Sequence, residues 1–139
     1  MQVSLEYMDS KPPVRVLIAD DNADARLLVH TFLSLLGFEV CTAADGLEAV
    51  ARAEQFKPDL VFLDLWMPTM DGIEACLRLR KGSCPRPIPI FAVTADLSRA
   101  EVPPQCFDRV LTKPVDLDRI ADLARQRAAQ LNQLTRRVH

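Results

Sequence analysis

Val14-Arg15-Val16-Leu17-Ile18-Ala19-Asp20-Asp21-Asn22 is the stretch on which the fold turns. Apart from Arg15 its first six residues are apolar, and Val14, Val16 and Ile18 are β-branched. A short, nearly continuous apolar run of this kind suits a strand buried on both faces of a parallel sheet. Asp20, Asp21 and Asn22 end the run with side chains able to cap a helix. Beyond them Leu27, Leu28, Phe32, Leu35 and Leu36 recur at helical spacing, and Gly37 stands where a helix closes.

Working outward, the same alternation repeats. Residues 38–42 read as a second strand, and 46–56 as a helix with Leu47, Val50 and Ala51 on one face. Pro58-Asp59 introduces a third strand, Leu60-Val61-Phe62-Leu63, and 71–81 make a helix with Ile73, Cys76, Leu77 and Leu79 available for burial. Residues 88–93 form a fourth strand, although Pro89 inside it cannot donate to a ladder. Residues 97–101 allow barely more than one helical turn before Pro103-Pro104. A short strand at 109–111 and a long helix over 116–136 complete the chain. Strands alternating with helices imply βαβ units, hence a doubly wound α/β fold with a parallel sheet.

Composition agrees and narrows the function. The 139 residues suit one ordinary domain, and 49% hydrophobic with 26% charged residues is a globular balance. A net charge of −2 predicts no broad attraction to nucleic acid or an anionic membrane. No apolar stretch is long enough to insert in a bilayer, and the start lacks a secretory pattern. Cys41, Cys76, Cys84 and Cys106 contain no CxxC pair, so neither a structural zinc site nor a disulfide framework is expected. The default location is cytoplasmic.

Ligands of open α/β sheets collect outside the carboxyl ends of the strands. The predicted strands end at Asp20-Asp21, Asp64, Thr94 and Thr112-Lys113, so three carboxylates, a hydroxyl and an ammonium converge on one rim. Clustered carboxylates repel unless protonated or neutralised, and an all-oxygen set suits a hard divalent ion such as Mg²⁺. A hydroxyl and an ammonium oppose charge on a phosphoryl group, and a carboxylate can act as the nucleophile toward one. Each residue also has a plainer use. Asp20, Asp21 and Asp64 could be caps, Lys113 a solvated lysine, and His30 a helix residue without partners at metal-ligand spacing. Asp71 and Gly72 read as structural, the first capping a helix and the second allowing close packing.

Asp20-Asp21, the segment Val61-Phe62-Leu63-Asp64-Leu65-Trp66-Met67-Pro68, Met70-Asp71-Gly72, Val93-Thr94-Ala95 and Leu111-Thr112-Lys113-Pro114 together resemble the signature set of response-regulator receiver domains. The resemblance implies a (βα)5 fold with strand order 2-1-3-4-5, here with a shortened fourth helix and an extended fifth. The polar start ending in Pro12-Pro13 reads as a leader over 1–13, and with the resemblance covering 14–124 the domain is taken as 14–126 with a helical extension over 127–139. The resemblance further implies a bacterial two-component or phosphorelay switch. Asp64 would take phosphoryl from a histidine kinase or histidine phosphotransfer protein. Asp20, Asp21, Asp64 and the backbone carbonyl of Trp66 would hold Mg²⁺, for which Mn²⁺ could substitute. Thr94 and Lys113 would grip the phosphoryl group, and Lys113-Pro114 would be cis.

Such a domain is not an enzyme, though it assists its own Mg²⁺-dependent phosphorylation and dephosphorylation. The alternative is an Asp-nucleophile phosphatase or phosphotransferase, but that class favours a second acid where this chain has Trp66. Family members often carry a switch aromatic three residues before the lysine, where this chain has Val110. With the fourth helix eroded as well, the familiar dimer face is not expected. Leu117, Ala121, Ala124, Ala128, Leu131 and Leu134 form a stripe that reads either as a helix running on into solvent or as a packing, connector or homodimer helix. The output partner is not legible, and no direct nucleic-acid contact is expected.

Overall fold

The computed structural model describes residues 12–82, 87–96, 102–103 and 105–138. In chain order the elements are β1 (Arg15–Ala19), α1 (Ala23–Leu35), β2 (Glu39–Ala43), α2 (Gly46–Phe56), β3 (Leu60–Asp64), α3 (Gly72–Lys81), β4 (Ile90–Thr94), β5 (Arg109–Thr112) and α4 (Leu117–Val138). The strands form one parallel sheet in the order β2-β1-β3-β4-β5. The short helix expected over 97–101 lies outside the described residues, as does most of the leader. The final helix is long, at 22 residues.

Alternation along each strand sends side chains to opposite faces, so burial of both faces demands two cores. Leu17 and Ala19 of β1 join Val61, Leu63 and Ile90 under α2 and α3. Val16 and Ile18 join Leu60, Phe62, Phe91 and Val93 under α1 and α4. Phe62 and Phe91 sit side by side on neighbouring strands, ring centroids 5.3 Å apart. β3 is buried along its whole length.

Three expectations are corrected. β4 starts at Ile90 rather than 88, so Pro89 precedes the ladder and uses only its carbonyl, which accepts from the Val61 N–H at 3.0 Å. On α2 the buried residues are Gly46, Ala49 and Ala53, while Leu47 is half exposed. Small residues let that helix lie close to the sheet. On α1 the inward face is Val29, Phe32 and Leu33, leaving Leu27, Leu28 and Leu35 exposed. Gly37, at φ 97°, ends α1 in the left-handed region as expected.

Candidate phosphoryl and metal site

The parallel registers put the strand ends on one rim: Ala19 pairs with Leu63, Asp64 with Val93, and Thr94 with Thr112. Asp20 follows β1, its N–H donating to the Ala43 carbonyl at 3.1 Å. Its Oδ1 accepts from the Asn22 N–H at 2.9 Å, and Arg26 Nη1 donates to its carbonyl at 2.7 Å. The cap of α1 is Asn22, whose side chain accepts from Ala25. Asp20 and Asp21 are therefore free of capping duty. Carboxylate oxygens of Asp20, Asp21 and Asp64 lie within 4.8 Å of one another, with Asp20 and Asp64 buried and Asp21 exposed.

Lys113 enters from the far side. Its backbone N–H donates to the Thr94 carbonyl at 2.8 Å, and its peptide bond to Pro114 is cis. Its Nζ donates to Asp20 Oδ2 and to Asp64 Oδ2, both at 3.0 Å. Burial alone would lower the Lys113 ammonium, but hydrogen bonds and charge from Asp64 and Asp20 outweigh it, and its pKa is raised. Burial raises the Asp64 carboxyl too, with hydrogen bonds from Lys113 and the Trp66 N–H offsetting only part and the Asp20 charge adding to the rise. The two shifts look contradictory and are not. Lys113 has two anions to face, whereas Asp64 has one shared cation and a desolvated position.

Thr94 is fully buried, and its hydroxyl donates to the Asp96 carbonyl at 3.2 Å and accepts from the Asp96 N–H at 3.1 Å. It ends β4 on the same rim, with its hydroxyl engaged by its own loop. Trp66 donates its backbone N–H to Asp64 Oδ1 at 3.2 Å and its indole N–H to the Asp96 carbonyl at 3.3 Å. Asp96 was not singled out from sequence, although its place two residues beyond a strand-ending threonine is the available signal. Asp71 caps α3 by accepting from the Glu74 N–H at 2.9 Å, and Gly72 packs where a Cβ would press on the Asp64 carbonyl. Val110 lies on β5 and is 40% exposed, and His30 is exposed on α1.

Oxygen donors alone at this spacing fit a hard divalent cation, with three anions against one ammonium leaving charge for it to balance. Beside the cluster runs an apolar groove of about 320 Å³, lined by Ile18, Leu28, Val29, Pro114 and Val115, with Asp20 and Lys113 at its edge. Among the described residues, no helix is long and apolar enough to cross a membrane.

Known proteins are similar to this chain in sequence and in fold. The chain is 40% identical over 118 residues to the DNA-binding dual master transcriptional regulator RpaA of Synechocystis, covering 82% of this chain and 48% of that protein. It thus spans about half, or less, of the curated relatives it matches. The chemotaxis protein CheY4 of Vibrio cholerae superposes with a TM-score of 0.71 at 29% identity, over 82% of this chain and 98% of that one. The receiver domain of the sensor histidine kinase PA1611 from Pseudomonas aeruginosa, with a magnesium ion coordinated in its active-site cleft, gives 0.74 at 27% identity, over 82% and 96%. The family profile described as response regulator receiver domain matches residues 16–125. With that match covering most of the chain, and the sheet order and acidic rim to go with it, this protein belongs to the response regulator receiver domain family.

Proposed function

We propose that Asp64 is the phosphoacceptor of this domain and that a histidine kinase or a histidine phosphotransfer protein supplies the phosphoryl group. The observation that carries the reading is the single ammonium of Lys113 held at 3.0 Å from both Asp20 and Asp64 beside a third carboxylate. An Asp64 oxygen attacks phosphorus, the P–N bond of the phosphohistidine breaks, and the neutral imidazole leaves once protonated. Lys113, anchored through its backbone to Thr94, follows the charge onto the phosphoryl oxygens. The Thr94 hydroxyl exchanges Asp96 for a phosphoryl oxygen, moving the loop after β4 and giving a partner something to read.

Asp20, Asp21, Asp64 and the Trp66 carbonyl would hold Mg²⁺, with Mn²⁺ an adequate substitute. The ion supplies charge neutralisation for in-line transfer when bound. The apolar groove beside Asp20 and Lys113 favours a protein donor over a small phosphoester. Trp66, two residues past Asp64, offers no acid for turnover, and Val110 supplies no aromatic rotamer to the switch. We assign residues 1–13 as leader, 14–126 as the receiver body and 127–139 as an extension, acting in the cytoplasm.

The test is incubation with radiolabelled acetyl phosphate or a phosphorylated histidine donor in Mg²⁺. Near-stoichiometric, acid-stable and alkali-labile label that disappears in Asp64→Asn is expected. Label persisting in that variant, or multiple turnover on a phosphoester, overturns the assignment.

A further inference from the structure

Away from the acidic rim, a pair of buried thiols joins α3 to the segment before β5. Cys76 of α3 and Cys106, which precedes β5, are 0% and 2% exposed. Cys76 Sγ donates to the Cys106 carbonyl at 2.8 Å, and Cys106 Sγ meets the Ile73 carbonyl at 3.9 Å. Helical side chains lean toward the helix N-terminus, so the Cys76 sulfur also lies over the turn from Ile73 to Cys76. The two thiols are neighbours, near enough for the Cys106 side chain to act on the Cys76 thiol. Arg80, one turn on, brings a guanidinium to it. Its Nε and Nη2 donate to the Cys106 carbonyl at 3.2 and 3.0 Å, its Nη1 to the Ile88 carbonyl at 2.7 Å, and its Nη2 to Asp108 at 2.9 Å.

We propose that Cys76 and Cys106 form an oxidisable dithiol whose disulfide fastens α3 to the connection between β4 and β5. That connection follows Thr94 and leads into β5, which Lys113 follows, so the bond would tie a site not used in phosphoryl chemistry to the segment between two residues that are. The proposal stands apart from the reading of Asp64, because its test follows sulfur alone.

Burial, together with the neighbouring Cys106 thiol, raises the Cys76 thiol well above its ordinary value, while Arg80 pulls it back in part. Cys76 thus rests as a thiol, and the oxidant of the proposal is small and neutral, hydrogen peroxide. The Cys106 thiolate attacks a peroxide oxygen, the O–O bond breaks, and a sulfenic acid and water result once protons are redistributed. The Cys76 sulfur then attacks the sulfenic sulfur, the S–O bond breaks, and hydroxide departs as water with the thiol proton. Two thiols and one peroxide give one disulfide and two waters. Arg80 lowers the cost of a transient Cys76 thiolate.

The experiment uses the full chain with Cys41→Ser and Cys84→Ser, oxidised by hydrogen peroxide in native buffer, then denatured, alkylated and digested. Expected are a peptide pair joined through Cys76 and Cys106, an intact mass lower by two hydrogens, reversal by dithiothreitol, and an unfolding midpoint raised by roughly 5 °C or more. Cys106→Ser should leave Cys76 unlinked. Recovery of both cysteines as separate alkylated or sulfinic species from protein that stays folded overturns the proposal. So does a cross-link that forms only in denaturant, and so does Cys76 linked to Cys84 or Cys41 when those are restored.

Discussion

Lys113 faces two carboxylates while Asp64 shares one ammonium, and this inequality decides what single substitutions at the rim do. The folded Asp64 carboxyl titrates above its ordinary value, so its contribution to stability is fully present below the unfolded value and is lost as pH rises through the folded one. At neutral pH in chelator the ionised group therefore costs stability. Asp64→Asn keeps an acceptor for Lys113 and removes the charge, so its urea midpoint should exceed that of the parent at pH 7. The gap should close as pH falls below about 4, where the parent carboxyl is protonated in both states. A variant less stable than the parent at pH 7 would refute this electrostatic account. Lys113 gives the opposite result. Lys113→Met keeps the packing of the stem but strands two buried anions, at a cost of roughly 1–3 kcal/mol in chelator, less than for a fully buried pair. The lysine side chain's 27% exposure is the reason for the smaller figure. Mg²⁺ should then restore more stability to this variant than it adds to the parent, measured by urea titration with and without the ion. Equal gains would mean that ammonium and cation do not compete for the same carboxylates.

At the scale of elements, α3 is positioned against β3 by the absence of a side chain. The Gly72 N–H donates to the Leu65 carbonyl at 2.9 Å, and a Cβ there would meet the Asp64 carbonyl and stand 3.0 Å from the Leu65 Cα. Both neighbours are backbone and cannot swing away. Gly72→Ala should cost about 1–3 kcal/mol and should also slow label uptake, because relief of the clash displaces Asp64 itself. Unchanged uptake at reduced stability would show that the helix gives way rather than the strand. Gly72 was legible from sequence as a packing glycine because it follows a capping aspartate at a helix start. The faces of α1 and α2 were less legible. Leu27, Leu28, Val29, Phe32, Leu33, Leu35 and Leu36 surround α1 so fully that spacing alone cannot say which side meets the sheet. On α2 the contact is made by Ala49 and Ala53, which hydrophobicity ranks below Leu47 although their size is what the close approach requires. β1, β3 and the carboxylates that end them were readable because a strand buried on both faces leaves an unbroken apolar run, and its polar terminus stands out. Asp96 carried no such contrast.

Across the whole molecule, α4 is out of proportion to the sheet it covers. Its 22 residues reach about 33 Å, against roughly 17 Å for a five-residue strand. Ile120, Ala121, Leu123 and Ala124 are buried on the sheet, and Arg127 Nε donates to the Asp59 carbonyl at 3.0 Å. After that anchor the same apolar stripe runs on past the sheet, with Leu134 45% exposed. The sequence showed the stripe as one feature. Only the sheet's dimensions divide it into a part that holds the fold and a part that runs beyond it. Ending the protein after Gln130 should therefore leave the urea midpoint within about 0.5 kcal/mol of the parent and keep label uptake at Asp64, since the anchor from Ile120 to Arg127 stays in place. Sedimentation velocity across a concentration series separates the roles. The parent should show a dimer that grows with concentration, and the shortened chain should stay a monomer. Two monomers of equal behaviour would reject the dimer and leave the extension as solvated helix, whereas loss of the fold on truncation would place the anchor further along α4 than Arg127.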